Sequence, residues 1–218
     1  MRDILITVIV LGLLPFILRS PRIGAYAWAW LSLMNPHRGA FGFARSIPFA
    51  HLVALSTLAG FLFSRDRRPR YQVLFFFFRR PFPVNSITVT QVLLLVWMSI
   101  TCLFALNSTE IVLERWIFVF KIQLMLFVTM MLIRGREQIE RLIWVVTLSV
   151  GFYGGKGGIW ALMGGGSGRV WGPAGSMSEG NNEIGLALVT LIPFMYFLHQ
   201  VSTRRLIRAA LVFAIVTS

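Results

Sequence analysis

Apolar residues in this chain fall in long, nearly uninterrupted runs. They do not follow the period-two alternation of a half-buried strand. Runs near 4–18, 47–63, 86–106, 116–133, 142–163 and 184–198 hold almost no charge, a shorter one covers 23–34, and another opens at 206. A bilayer core about 30 Å thick takes roughly 20 apolar residues as helix, and several of these runs approach that length. Helix is the only spanning structure open to them: backbone groups in hydrocarbon must bond within their own segment, and the alternation of a membrane barrel is missing. The expected fold is all-α: a polytopic integral membrane protein of about seven to eight transmembrane helices, with an interfacial aromatic segment and a Gly-rich outer loop.

Composition agrees. With 56% hydrophobic residues in 218 and a mean hydropathy of +0.74, the chain holds more apolar side chain than one water-soluble core of this size can hide. The net charge of +13 invites a nucleic-acid reading, but the placement of the charges favours another. Arg65, Arg67, Arg68, Arg70, Arg79 and Arg80 crowd one connection, Arg134, Arg136 and Arg141 a second, and Arg204, Arg205 and Arg208 a third. The intervening connections carry Glu110, Glu114 and Arg115, then Arg169, Glu179 and Glu183. Loops of alternating basicity follow the positive-inside rule, which makes the three Arg-rich connections cytoplasmic and predicts no nucleic-acid partner. Span 47–63 then runs inward and leaves Asn35–Ser46 outside. The first two segments are short, and Arg19 and Arg22 separate them. Either the N-terminus is external, the option we favour, or segment 23–34 is re-entrant. The run at 4–18 resembles a signal peptide, but Pro15 and Arg19 stand where a small-residue cleavage site belongs, so we read it as a retained span.

Cys102 is the sole cysteine, which excludes an internal disulfide, and it reads as a small apolar residue packed between helices. His37, His51 and His199 are scattered without ligand spacing or nearby carboxylates, so no metal is expected. Asn107, Ser108 and Thr109 match a glycosylation sequon that matters only in a eukaryotic secretory pathway. The aromatic run from Tyr71 to Phe78, bracketed by arginines, is too short to span and reads as an interfacial segment on membrane lipid. Lys121 lies inside the run 116–133. An ammonium there either snorkels to the outer interface, the simpler reading, or faces a polar cavity.

From Gly151 to Gly185 the chain holds 13 of its 19 glycines. The segment Gly151–Gly158, with Lys156 inside it, predicts a helix that is either broken or tightly packed through small residues. Gly154, Gly155, Lys156 and Gly157 fail as a P-loop, because Gly157 stands where Ser or Thr must hold magnesium and no strand precedes them. Further on, Asn181 or Asn182 is placed to cap the helix that follows. Arg169 among glycines, ahead of a helix N-terminus, suits an anion, and with Lys156 it could clamp a diphosphate.

Taken together, Pro21–Gly24, the run Trp30–Arg38, Gly151–Gly158, Arg169–Pro173 with Gly172 inside it, and the pair Asn181 and Asn182 resemble the O-glycosylation ligases associated with exosortase A. Those are similar to the wider O-antigen ligase and polymerase superfamily. The resemblance covers essentially the whole chain. It implies a multi-pass enzyme of the bacterial inner membrane that transfers a glycan from a polyprenyl-diphosphate carrier to an acceptor protein or surface polymer at the periplasmic face, with no cofactor. Under that resemblance Arg169 holds the diphosphate, Lys156 is a second cation, and Glu179 is a weak candidate for the base. Members of that family are about twice as long, with further Arg and His in their second half. The apolar segment at 206 is cut at Ser218, so residues 1–218 are expected to be the N-terminal transmembrane domain of a longer ligase, inactive alone. Two other classes compete: a transporter or flippase for lipid-linked saccharide, and a non-catalytic scaffold in an exopolysaccharide or protein-sorting system.

Overall fold

The computed structural model describes residues 1–39, 42–63, 85–106, 108–164, 169–176 and 178–217. Those residues form eight α-helices and one short 3-10 turn, with no strand among them. In chain order the helices are α1 (Arg2–Arg19), α2 (Pro21–Met34), α3 (Phe49–Phe63), α4 (Ser86–Leu103), α5 (Thr109–Leu132), α6 (Arg136–Met163), α7 (Asn181–Val201) and α8 (Arg205–Thr217). Three are long and apolar enough to cross a membrane, namely α4, α6 over Arg136–Ala161, and α7, while α3 is a shorter apolar helix. The aromatic run 71–78 and the Arg65–Arg80 cluster lie outside the described residues.

Helices α1, α2 and α3 form a tight up-down-up trio around Val10, Ile17, Leu31, Phe49 and Val53. Ser20, in extended conformation, ends α1, and Pro21 starts α2 at the position where a missing N–H costs nothing. Small residues set the spacing. A Cβ on Gly24 would overlap the Thr57 hydroxyl, and one on Gly60 would stand 2.8 Å from the Ile17 carbonyl oxygen. Segment 23–34 is therefore part of a full helix packed between two neighbours, not a loop that turns back. Asp3 secures the start of α1 to the connection between α2 and α3, where its Oδ1 accepts N–H bonds from Gly42 and Ala44, both at 3.1 Å.

A second core joins α6, α7 and α8 through Val150, Ile184, Leu188, Leu191, Met195 and Leu211. The two cores meet along α2 and α6, where Tyr26 Oη donates to the Gln138 carbonyl at 3.1 Å and Tyr153 Oη to the Met34 carbonyl at 2.7 Å. These bonds run α2 and α6 in the same direction. Helix α5 packs on α2 through Val128, Leu132 and Ala25, and α4 pairs antiparallel with α5.

Successive helices thus alternate in direction, which sorts the connections into two ends. One end gathers Arg19, Arg22, Phe63, Ser86, Leu132 to Arg136, and Val201 to Arg205. The other gathers Met1, Asn35, Ser46, Leu103, Thr109, Met163 and Asn181.

Two local expectations need correction. Helix α6 runs unbroken through Gly151, Tyr153, Lys156 and Gly158, so the glycines do not interrupt it. Gly154 and Gly157 are buried, which is the tight-packing alternative. Neither Asn181 nor Asn182 caps α7. Both already have helical backbone, and Gly180, extended at φ −71 and ψ 160, takes the cap position. Glu183, in the first turn, folds its carboxylate back over Gly180, where any Cβ would overlap it.

Candidate functional site

The second end of the bundle holds most of the residues singled out in the sequence. Helix α2 stops at Asn35, whose left-handed backbone (φ 48, ψ 48) is the turn-out an Asn tolerates at a helix end. Asn35 is buried, and its Nδ2 donates to the Ala174 carbonyl at 2.9 Å, which ties the end of α2 to the glycine-rich return loop. His37 is also buried, edge-on to Phe49 with ring centroids 5.6 Å apart, and its Nδ1 has no hydrogen-bond partner. Burial, and secondly the Arg38 guanidinium, hold its pKa below the ordinary histidine value. Arg38 itself is exposed and lies across Gly175: its Cζ is 3.5 Å from where a Cβ on that glycine would stand.

The return loop is closed by its own hydrogen bonds. Gly172 N–H donates to the Glu179 carbonyl at 3.0 Å, Gly175 N–H donates to Glu179 Oε2 at 2.8 Å, and Ser176 Oγ donates to the Pro173 carbonyl at 2.7 Å. Gly175 has φ +70, a left-handed position that favours glycine. Gly172 presses so close to Ser178 that a Cβ would overlap the Ser178 carbonyl oxygen. Glu179 is exposed, and one of its carboxylate oxygens is committed to holding this loop.

Lys156 and Arg169 are both exposed. The side chain of Val170 fills the notch at Gly157, 2.7 Å from where a Cβ would be. Each of the two cations is the residue next to that contact, so the segment bearing Arg169 rests on the turn of α6 bearing Lys156. Tyr153, one turn earlier, reaches Met34 beside Asn35. The end of α2, the glycine turn of α6 and the return loop therefore converge, and three cations from three segments, Arg38, Lys156 and Arg169, stand at that end. Asn181 is half-buried and Asn182 exposed at the start of α7. Exposed guanidinium and ammonium groups near a helix N-terminus suit an anion such as a phosphate. Among the described residues, no group of three His, Cys, Asp or Glu is placed to hold a metal ion.

Roles for Asn35, Arg38 and Tyr153 could not be read from the chain, although all three lie within the motif stretches. Asn35 and Pro36 after an apolar run signal a helix end, but their partner stands 139 residues away, at Ala174.

Among the described residues the fold is all-helical, with three span-length helices and exposed cations toward one end of the bundle. The chain belongs to the family described as a family of unknown function (DUF5935), whose profile matches residues 1–203. No curated protein and no solved structure matches it.

Proposed function

We propose that this chain is the membrane-embedded part of an O-antigen-ligase-like enzyme that transfers a glycan from a polyprenyl-diphosphate carrier to an acceptor protein or surface polymer. One observation carries the reading: the segments bearing Arg38, Lys156 and Arg169 converge toward the end of the bundle away from the Arg-rich helix ends, through the Asn35–Ala174 bond, the Arg38–Gly175 contact and the Val170–Gly157 contact. In this reading the bundle crosses the bacterial inner membrane about seven to eight times, counting the shorter helices. The Arg-rich end is cytoplasmic, as the positive-inside rule requires, and the N-terminus and return loop are periplasmic.

The chemistry assigned to this end is charge neutralisation and positioning. A polyprenyl diphosphate is an activated leaving group whose negative charge grows as the bond to the sugar breaks. Arg38 and Arg169 are placed to take that charge, and Lys156 adds a third cation. Asn35 and Glu179 act through the loop they hold, because a loop displaced by about 1 Å misplaces Arg169 and the acceptor together. Glu179 is the candidate to take the acceptor hydroxyl proton with its second carboxylate oxygen.

The test is glycan transfer in proteoliposomes loaded with polyprenyl-diphosphate donor, using the full-length protein. Arg38→Ala and Arg169→Ala should each lower the transfer rate by about 10²-fold, the scale of losing one transition-state donor. Transfer at the wild-type rate in both variants contradicts the assignment. Donor crossing the bilayer with no transfer at all favours a flippase.

A further inference from the structure

Helices α4 and α5 stand at the edge of the bundle, and α4 buries only Thr88. Two side-chain bonds fix their relative height. Trp116 Nε1 donates to Ser99 Oγ at 3.0 Å, and Gln123 Nε2 donates to Gln91 Oε1 at 3.1 Å. Lys121 lies between those rungs on α5, level with Leu93 and Leu94 of α4. Helix α4 carries no charge along its 18 residues, which is just enough to cross a bilayer. At ~1.5 Å per residue, Lys121 is about 10 Å below the Ser86 end of α4 and about 15 Å below the Leu103 end. Its side chain leans toward the N-terminus of α5, which is the longer of those two paths. Snorkelling, the simpler expectation from sequence, therefore falls short: the stem is shorter than either distance.

Lys121 is exposed, with neither ion pair nor hydrogen bond among the described residues; of its neighbours three and four residues away, Ile117, Phe118 and Leu124 are 43%, 45% and 38% exposed, while Met125 is buried against the bundle. A lone ammonium on an apolar face at mid-depth is costly unless something covers it. We infer that this face of α5 docks a transmembrane helix of a different protein, one that carries a carboxylate at mid-depth. Charge selects the occupant. A second copy of the described chain does not supply the partner group: Asp3, Glu110, Glu114, Glu137, Glu140, Glu179 and Glu183 all stand in loops or in the first two turns of helices. Lipid chains do not supply it either. A carboxylate-bearing helix meets the ammonium where water is absent, and that makes the contact selective as well as attractive.

The inference rests on the bilayer reading of α4 and α5 and is independent of glycan transfer. Its test uses the chain reconstituted in phosphatidylcholine vesicles, with energy transfer to a leucine–alanine transmembrane peptide bearing one Glu at its centre. Control peptides carry Gln at the centre or Glu near one end. The centre-Glu peptide should associate about tenfold more tightly than either control, the scale of one interhelical polar contact. Lys121→Arg should keep that preference and Lys121→Leu should abolish it. Equal association of all three peptides, or an unchanged preference in Lys121→Leu, overturns the inference. Extraction of the chain from the vesicles by alkaline carbonate overturns the bilayer reading itself, and this inference with it.

Discussion

At Gly172 a side chain would overlap the carbonyl oxygen of Ser178, whereas at Gly151 and Gly155 nothing stands within 4 Å of a Cβ. Gly172→Ala should therefore cost about 1–3 kcal/mol as an overpacking strain, while Gly155→Ala should be neutral or slightly stabilising, since alanine is the better helix former. Thermal unfolding of both variants in detergent separates them. The sequence showed a dense glycine region but not which glycines are in close contact, because the surfaces they touch, Ser178 and Val170, come from a loop with no period. His37 supplies a second residue-scale test. Its folded pKa lies below its unfolded one, so the unfolded chain takes up a proton that the folded chain resists. Stability is full above about pH 6.5 and falls as pH drops through the lowered folded value. Unfolding midpoints measured from pH 7.5 down to 5 should fall in the wild type, and His37→Phe should flatten that dependence. An equal slope in the variant would place the titrating group elsewhere.

Among the elements, helix positions were largely legible, since each apolar run became a helix. Helix ends were not. Helix α5 begins at Thr109 and so takes in Glu110, Glu114 and Arg115, which an apolar count leaves outside. Helix α7 starts at Asn181 with Gly180 at its cap, because Glu183 can fold back over a residue that lacks a side chain. The joint between α2 and the return loop was invisible to periodicity, and Asn35 now tests it. Asn35→Gly keeps the left-handed turn and loses only the bond to Ala174, so it should cost about 1 kcal/mol. Asn35→Ala loses the bond and strains the backbone as well, so it should cost about 1 kcal/mol more. Tyr153→Phe removes the bond to the Met34 carbonyl and should cost about 0.5–1.5 kcal/mol. Denaturation of the three variants ranks them, and equal losses for Asn35→Gly and Asn35→Ala would contradict the backbone argument.

Across the whole molecule, alternating helix directions put the Arg-rich helix ends on one side and the segments bearing Arg38, Lys156 and Arg169 toward the other. Charge placement in the sequence had already separated the later connections. It could not place the N-terminus, because Arg19 and Arg22 lie between two short segments. The bonds from Gly42 and Ala44 to Asp3 settle which end of the bundle Met1 shares. The same two-ended layout underlies both the diphosphate assignment and the depth of Lys121.

That layout is tested most directly by labelling single cysteines from one side of the membrane. In a Cys102→Ser background, Arg2→Cys, Ala174→Cys and Thr203→Cys are introduced one at a time, each at an exposed position near a helix end. Intact spheroplasts are then treated with a membrane-impermeant maleimide. The account predicts labelling of Arg2→Cys and Ala174→Cys from outside, with Thr203→Cys labelled only after permeabilisation. Labelling of Thr203→Cys in intact cells, or protection of Ala174→Cys, would place the cation cluster on the wrong side for a periplasmic transfer and contradict the account.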